Sequence, residues 1–299
     1  MSSKGSIKAV LVALVGNFAI AILKFIVATV TNSAGMLAES IHSLADTVNE
    51  VFLLIGTKRS RKEADEEHSF GHGKEEYFWG FLVAFLLFSV GGAYSIFEGV
   101  HKIAHPEQIE HALWIFIIIL VSICIELNSF IVALNEFKHN KAKKTSWLKH
   151  FENSTNTNVF VIIVEDFSAL SGLVLVLITT TLALTVSPIF DAIGSILVGV
   201  LLIFAAYYLS NELRKLMIGE NISREMRDKI KEIIKSFKDV KHINNIRSMY
   251  VGNDQFLLEI SIDVDDDLKV YHADDIVSEI KLDITKLYSN AKYINIEVN

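Results

Sequence analysis

Six stretches of this chain are so long and so apolar that only a lipid bilayer accounts for them. They cover about residues 9–30, 33–56, 78–100, 112–134, 158–181 and 189–209. As helices rising about 1.5 Å per residue, each can cross roughly 30 Å of hydrocarbon. Lipid offers the backbone no hydrogen-bond partners, so such runs must be helical. A 51% hydrophobic composition and a mean hydropathy of +0.39 agree with this reading. The first run contains Lys24 and is too long for the core of a signal peptide, so it reads as a retained span. The sequence therefore predicts six transmembrane helices within residues 1–216.

Charge in the connections predicts their orientation. Lys4 and Lys8, then Lys58, Arg59, Arg61, Lys62 and Lys74, then Lys138, Lys141, Lys143, Lys144 and Lys149 all fall on one side. The opposite connections carry only Lys102. Basic residues remain cytoplasmic, which places both termini inside, in a multi-pass protein of a prokaryotic plasma membrane, since no presequence is evident. Anionic membrane lipid attracts those loops. The net charge of −7 gives no sign of nucleic-acid binding. A lone cysteine, Cys124, excludes a disulfide scaffold and reads as a buried structural thiol.

From about residue 217 the composition becomes that of a soluble domain, residues 217–299. Ser223 caps a helix in which Met226, Ile230, Ile233, Ile234 and Phe237 recur at helical spacing. Strands are predicted at 240–250 and 255–264, with a turn at Gly252, Asn253 and Asp254. A second amphipathic helix follows at 272–288, and Tyr293, Ile294, Ile296 and Val298 close the chain as a strand. Helix–strand–strand–helix–strand is a small α+β, ferredoxin-like arrangement. The fold class is thus an all-α six-helix transmembrane domain followed by a cytosolic α+β C-terminal domain.

The second apolar run carries the chemistry. Glu39, His42, Asp46 and one of Asn49 and Glu50 share a helical face. Ionisable groups at bilayer depth are expensive and mark functional sites. An imidazole one turn from a carboxylate suits a divalent metal. The fifth run adds Glu165 and Asp166, which differ by about 100° around a helix, so one is expected to face the stripe and the other elsewhere. Glu126 lies deep in the fourth run, and Asp191 opens the sixth near the membrane interface. After the second run, Asp65, His68 and His72 can surround one cation, with Gly71 and Gly73 allowing a tight backbone.

With these residues in place, the chain resembles the cation diffusion facilitator family over its whole length. The resemblance rests on LAESIHSLAD in span two, ADEEHSFGHGKEEYFWG after it, the acids of span five, DAIGSILVG in span six and the α+β tail. The IHSLADTVNE and VEDFSALSG segments are most similar to the zinc-transporter-nine branch. The resemblance implies a homodimeric exporter, not an enzyme, with a metallochaperone-like tail, that exchanges zinc, or manganese, iron or cobalt, for protons. It implies a transport site at His42, Asp46, Glu165 and Asp166, and a loop site at Asp65, His68 and His72. The family's second span-five ligand would fall on Ala169 or Leu170, so the site is expected to be completed by water, by Glu39, Asn49 or Glu126, or by a different use of Glu165 and Asp166. In the tail only His242 and Asp274 match metal positions, with Ser261 and Glu297 standing where relatives use histidine. A metal-binding sensor or scaffold without transport is the alternative reading.

Overall fold

A computed structural model describes residues 3–85, 89–139, 157–252, 255–265 and 267–299, with backbone alone at 3–13, 136, 138–139 and 157–160. The basic loop residues Lys141, Lys143, Lys144 and Lys149, the turn residues Asn253 and Asp254, and Asp266 lie outside the described residues.

Helices α1 (Ser3–Thr31), α2 (Ala34–Ser60), α3 (Glu75–Val83), α4 (Ser89–Ala104), α5 (Leu113–His139), α6 (Thr157–Thr185) and α7 (Ile189–Ile218) come first. They are followed by α8 (Arg224–Lys235), β1 (Val240–Gly252), β2 (Gln255–Val264), α9 (Val270–Leu287) and β3 (Ala291–Val298). The elements fall into two compact units. One holds α1, α2 to Thr57, α3 from Phe78, α4, α5, α6 and α7 to Leu213; the other holds Lys58–Tyr77 and Arg214–Asn299.

Among the described residues, four segments are long and apolar enough to cross a membrane: Leu14–Thr31, Leu113–Asn135, Val161–Thr185 and Ile189–Ile218. The second expected span, α2, has 27 residues but is diluted by its own polar stripe. The third is described as α3 and α4, on either side of residues 86–88. Phe18, Ile22, Phe25 and Ile26 on α1, and Phe204 and Tyr207 on α7, point outward, as helices solvated by lipid require. Inside the unit, Met36, Ile115, Ile119, Leu173, Val176, Leu202 and Leu209 form the apolar core. Cys124 is exposed on its helix surface, which corrects the expectation of a buried thiol. At mid-span that surface is lipid-like, and a thiol is apolar enough to sit there.

The second unit contains a three-stranded sheet in the order β1-β2-β3, with β1 and β2 antiparallel and β2 and β3 parallel. The parallel pair is joined through α9, as a parallel connection requires. Phe256, Leu258, Ile260 and Ile262 alternate along β2 and are fully buried. Ile230 and Ile234 of α8 and Ile280 and Ile284 of α9 complete the same core. Ser223 caps α8 by accepting a bond from the Met226 backbone N–H at 3.3 Å.

Candidate metal centres

The stripe on α2 begins with a doubly supported helix start. Ser33 Oγ accepts from the Met36 N–H at 3.2 Å, while Asp191 of α7 receives the Ala34 N–H at 2.5 Å and the Ser33 hydroxyl at 2.5 Å. Asp191 is therefore a buried cap on the positive end of α2. It fixes the level from which the stripe descends.

Successive turns then project His42, Asp46 and Asn49. His42 Nε2 lies 3.6 Å from Asp46 Oδ2, and His42 is 1% exposed. Asn49 Nδ2 donates to Glu165 Oε1 of α6, so the second and fifth expected spans meet through polar side chains. Glu50 accepts from Asn17 Nδ2 of α1 at 2.5 Å. Asp46, Glu50, Glu126, Glu165 and Asp166 line one cavity of about 400 Å³, beside Asn17, Ser43 and Ser129. Both span-five acids reach this cavity despite adjoining in sequence. Glu165 does so from the α2 side, whereas Asp166 bonds Ser129 of α5.

Asp46 Oδ1, Glu50 Oε2 and Asp166 Oδ2 are buried without a hydrogen-bond partner among the described residues. Crowded carboxylates in a low-dielectric interior must be neutralised, either by a cation or by protons. The cavity can thus hold either, and the two compete for the same oxygens.

Glu39 is placed differently. Its Oε2 lies 3.3 Å from Lys24 Nζ, which also donates to Ser43 Oγ at 2.7 Å, and both charged groups are fully buried. Glu39 therefore pairs with α1 and does not line the cavity. Gly172 of α6 leaves room for it, since a Cβ there would collide with Glu39 Oε1. Ala169, at one of the family's ligand positions, is buried and apolar. Sequence reasoning passed over Asn17, Ser43, Ser129 and the partner of Lys24. A lone Asn and a lone Lys in the first apolar run were the available signals.

The loop between α2 and α3 brings Asp65, His68 and His72 together with their ligand atoms within 4.8 Å of one another. His72 Nε2 lies 3.0 Å from Asp65 Oδ2, and His68 Nδ1 3.4 Å from Asp65 Oδ1. Gly71, at φ +78°, lets the chain double back so that its N–H bonds the His68 carbonyl at 2.8 Å. The loop is seated on the tail of its own unit. Phe70 meets Tyr293 edge-on at 5.2 Å, and a Cβ on Gly73 would stand 2.9 Å from Gly252 Cα. Lys62 Nζ also reaches Asp65 Oδ2, at 2.6 Å. The Lys62 ammonium, the His72 ring and the His68 N–H hold the Asp65 carboxyl well below the usual carboxylate range.

Among the described residues, this trio is the one group of three with ligand atoms so close. The cavity acids are spread more widely and would have to draw in around an ion. In the tail, His242 lies exposed on β1 opposite Asp263, and Asp274 lies exposed on α9; the structure does not gather them into a cluster.

This architecture is that of an integral membrane protein with an acid-lined cavity in its helical unit and a second, small α+β unit. The chain belongs to the cation efflux, or cation diffusion facilitator, family: residues 10–218 match the cation efflux transmembrane domain, and residues 222–299 match the cytoplasmic domain of cation efflux proteins. It is 30% identical over 264 residues, 88% of its length, to the mitochondrial proton-coupled zinc antiporter SLC30A9 of Homo sapiens, of which it spans 46%. Metal tolerance protein C4 of Arabidopsis thaliana is 29% identical over 88% of this chain and 58% of its own. The manganese efflux system protein MneP of Bacillus subtilis is 24% identical over 98% of this chain and 95% of its own. The chain thus spans about half the length of the zinc-transporter-nine relatives whose branch it joins.

Proposed function

We propose that this chain exports a divalent metal ion, zinc above others, in exchange for protons. The observation that carries the reading is the meeting of Asp46, Glu50, Glu126, Glu165 and Asp166 around one cavity. His42, a turn from Asp46, supplies the nitrogen that favours zinc. Metal entering from the cytoplasm binds the deprotonated groups and releases their protons; on the far side protons return and the metal leaves. Alternating exposure of the cavity converts that competition into antiport.

The same reading includes six spans, with α2 and the α3–α4 region as the second and third, and both termini in the cytoplasm. It includes a homodimer, to which the sequence match in the tail lends support. Manganese is the second cargo to weigh, because the acids that line the cavity offer only oxygen ligands, His42 lying outside that lining, and MneP is among the relatives.

The test is flux in proteoliposomes with an imposed pH gradient, comparing zinc with manganese. Gradient-dependent zinc movement that Asp46→Ala abolishes supports the proposal. Metal binding without movement in the wild-type protein leaves the sensor reading instead.

A further inference from the structure

The tail unit holds a second polar cavity, of about 450 Å³, lined by α8 and β1. Arg227, Lys231 and Lys235 stand along one stripe of α8 at successive four-residue steps, and Lys241 and His242 face them from β1. Like charges at this spacing repel across each helical turn. Elsewhere on the same helix the chain uses the ordinary remedy, pairing Lys229 with Glu225 at 2.9 Å. No acid among the described residues pairs with Arg227, Lys231 or Lys235. Lys241 is held by Asp265 at 3.1 Å, so its charge is partly offset. Arg227 Nε is buried without a hydrogen-bond partner among the described residues. In a protein of net charge −7, every ionisable side chain that lines this cavity is therefore basic, beside Asn244, Asn245 and three apolar residues.

We propose that this cavity binds a phosphate-bearing anion of more than one negative charge, and not a metal. Arg227 supplies a planar fork suited to two phosphate oxygens, and Lys231 and Lys235 supply point charges along the stripe. A bound anion relieves the repulsion between turns, so it stabilises α8 as well as filling the site. His242, which the sequence offers as a metal ligand, lines this cavity beside Arg227, Lys231 and Lys235, whose charge disfavours a metal ion on that side and suits hydrogen bonding to phosphate, while Asp263 stands opposite it on β2. The anion is either a free phosphate compound or a phosphorylated lipid headgroup.

The experiment is calorimetric titration of pyrophosphate into the full-length, metal-free protein in neutral phosphatidylcholine nanodiscs at about 0.15 M chloride. One saturable event per chain is expected, weakened at least about tenfold in the Lys231→Gln, Lys235→Gln double variant. A Lys229→Gln, Lys281→Gln protein loses the same charge away from the cavity and is expected to bind as wild type. Far-UV circular dichroism checks that the variants are folded. Arg227→Lys, which keeps the charge and loses the fork, is expected to weaken binding a few-fold. Repeating the titration in phosphatidylglycerol nanodiscs identifies the source. Weaker pyrophosphate binding there, in wild type alone, assigns the site to lipid headgroups; unchanged binding assigns it to soluble phosphates. No saturable binding, or equal loss in both double variants, overturns the proposal.

Discussion

Lys24 sits in the first apolar run, fully buried, with Glu39 at 3.3 Å and Ser43 at 2.7 Å. An unpaired charge in that setting is far more costly than the pair, and breaking a buried pair typically costs about 3–5 kcal/mol. Lys24→Met is therefore expected to lower thermal stability in detergent sharply, and Lys24→Met with Glu39→Gln to recover most of it. A double-mutant cycle from melting curves checks the coupling, which should be at least about 1 kcal/mol. If the double variant is no better than Lys24→Met, Glu39 has another partner that matters more. The comparison also shows what can be read from residues alone. His42, Asp46 and Glu165 stand out because ionisable groups are rare in apolar runs and because steps of three and four define a face. That Lys24 removes Glu39 from the cavity, or that Asp191 caps α2, depends on contacts 15 and 158 residues apart in sequence. No local pattern encodes them.

At the scale of elements, α4 and α7 show how helices without a hydrophobic drive between them can still associate. Gly92, Ser95 and Gly99 on α4, and Ala192, Ser195 and Gly199 on α7, repeat small residues at the same intervals of three and four. A Cβ on Gly99 would stand 2.7 Å from the Ala192 carbonyl oxygen, and one on Gly92 2.8 Å from that of Gly199. Ser195 Oγ donates to the Ser95 carbonyl at 2.8 Å within the same seam. Gly99→Leu is expected to destabilise the helical unit by on the order of 1–3 kcal/mol through overpacking. Gly16→Ala, which meets nothing within 4 Å, is expected to melt as wild type or slightly higher. In the tail, Ile280→Ala removes a fully buried side chain and should cost about 2–5 kcal/mol, read by denaturant unfolding of the full chain. The tail's elements were plain in the sequence because Ile230, Ile234, Phe256, Leu258, Ile260 and Ile262 keep helical and strand periods without exception. The second span is the least apolar of the long helices in the helical unit, because the polar residues that build a site also lower the apolarity that marks a span.

For the whole molecule, the decisive question is how many metal ions the chain holds and which of them move. The loop trio and the cavity acids differ in kind. The trio is half-exposed, its ligand atoms already lie within 4.8 Å of each other, and it is seated on the tail through Phe70 and Tyr293. A composition change at residue 217 gives no hint that residues 58–77 join the tail's unit, because that association rests on scattered contacts: Tyr77 in the tail's core, Lys74 on the Met217 carbonyl, Phe70 on Tyr293 and Gly73 against Gly252. The cavity, of about 400 Å³, has its acids spread more widely, and on the proposed reading they close on an ion and release it. A preformed cluster suits retention, and a loose ring suits passage. Element analysis of purified protein equilibrated with zinc is thus expected to give two ions per chain in wild type. Either His42→Ala or His72→Ala should leave one, and the double variant none, since the described tail residues offer no third cluster. Flux should vanish in His42→Ala, whereas His72→Ala should retain a measurable pH-driven rate. Lys62→Gln frees Asp65 Oδ2 from a competing cation and should tighten zinc at the loop a few-fold without changing the cavity. A wild-type protein that holds one ion, lost in His72→Ala and kept in His42→Ala, would show that the cavity does not retain zinc under these conditions. It would turn the question to the manganese comparison in the flux assay, where a ring of carboxylate oxygens has its clearest consequence.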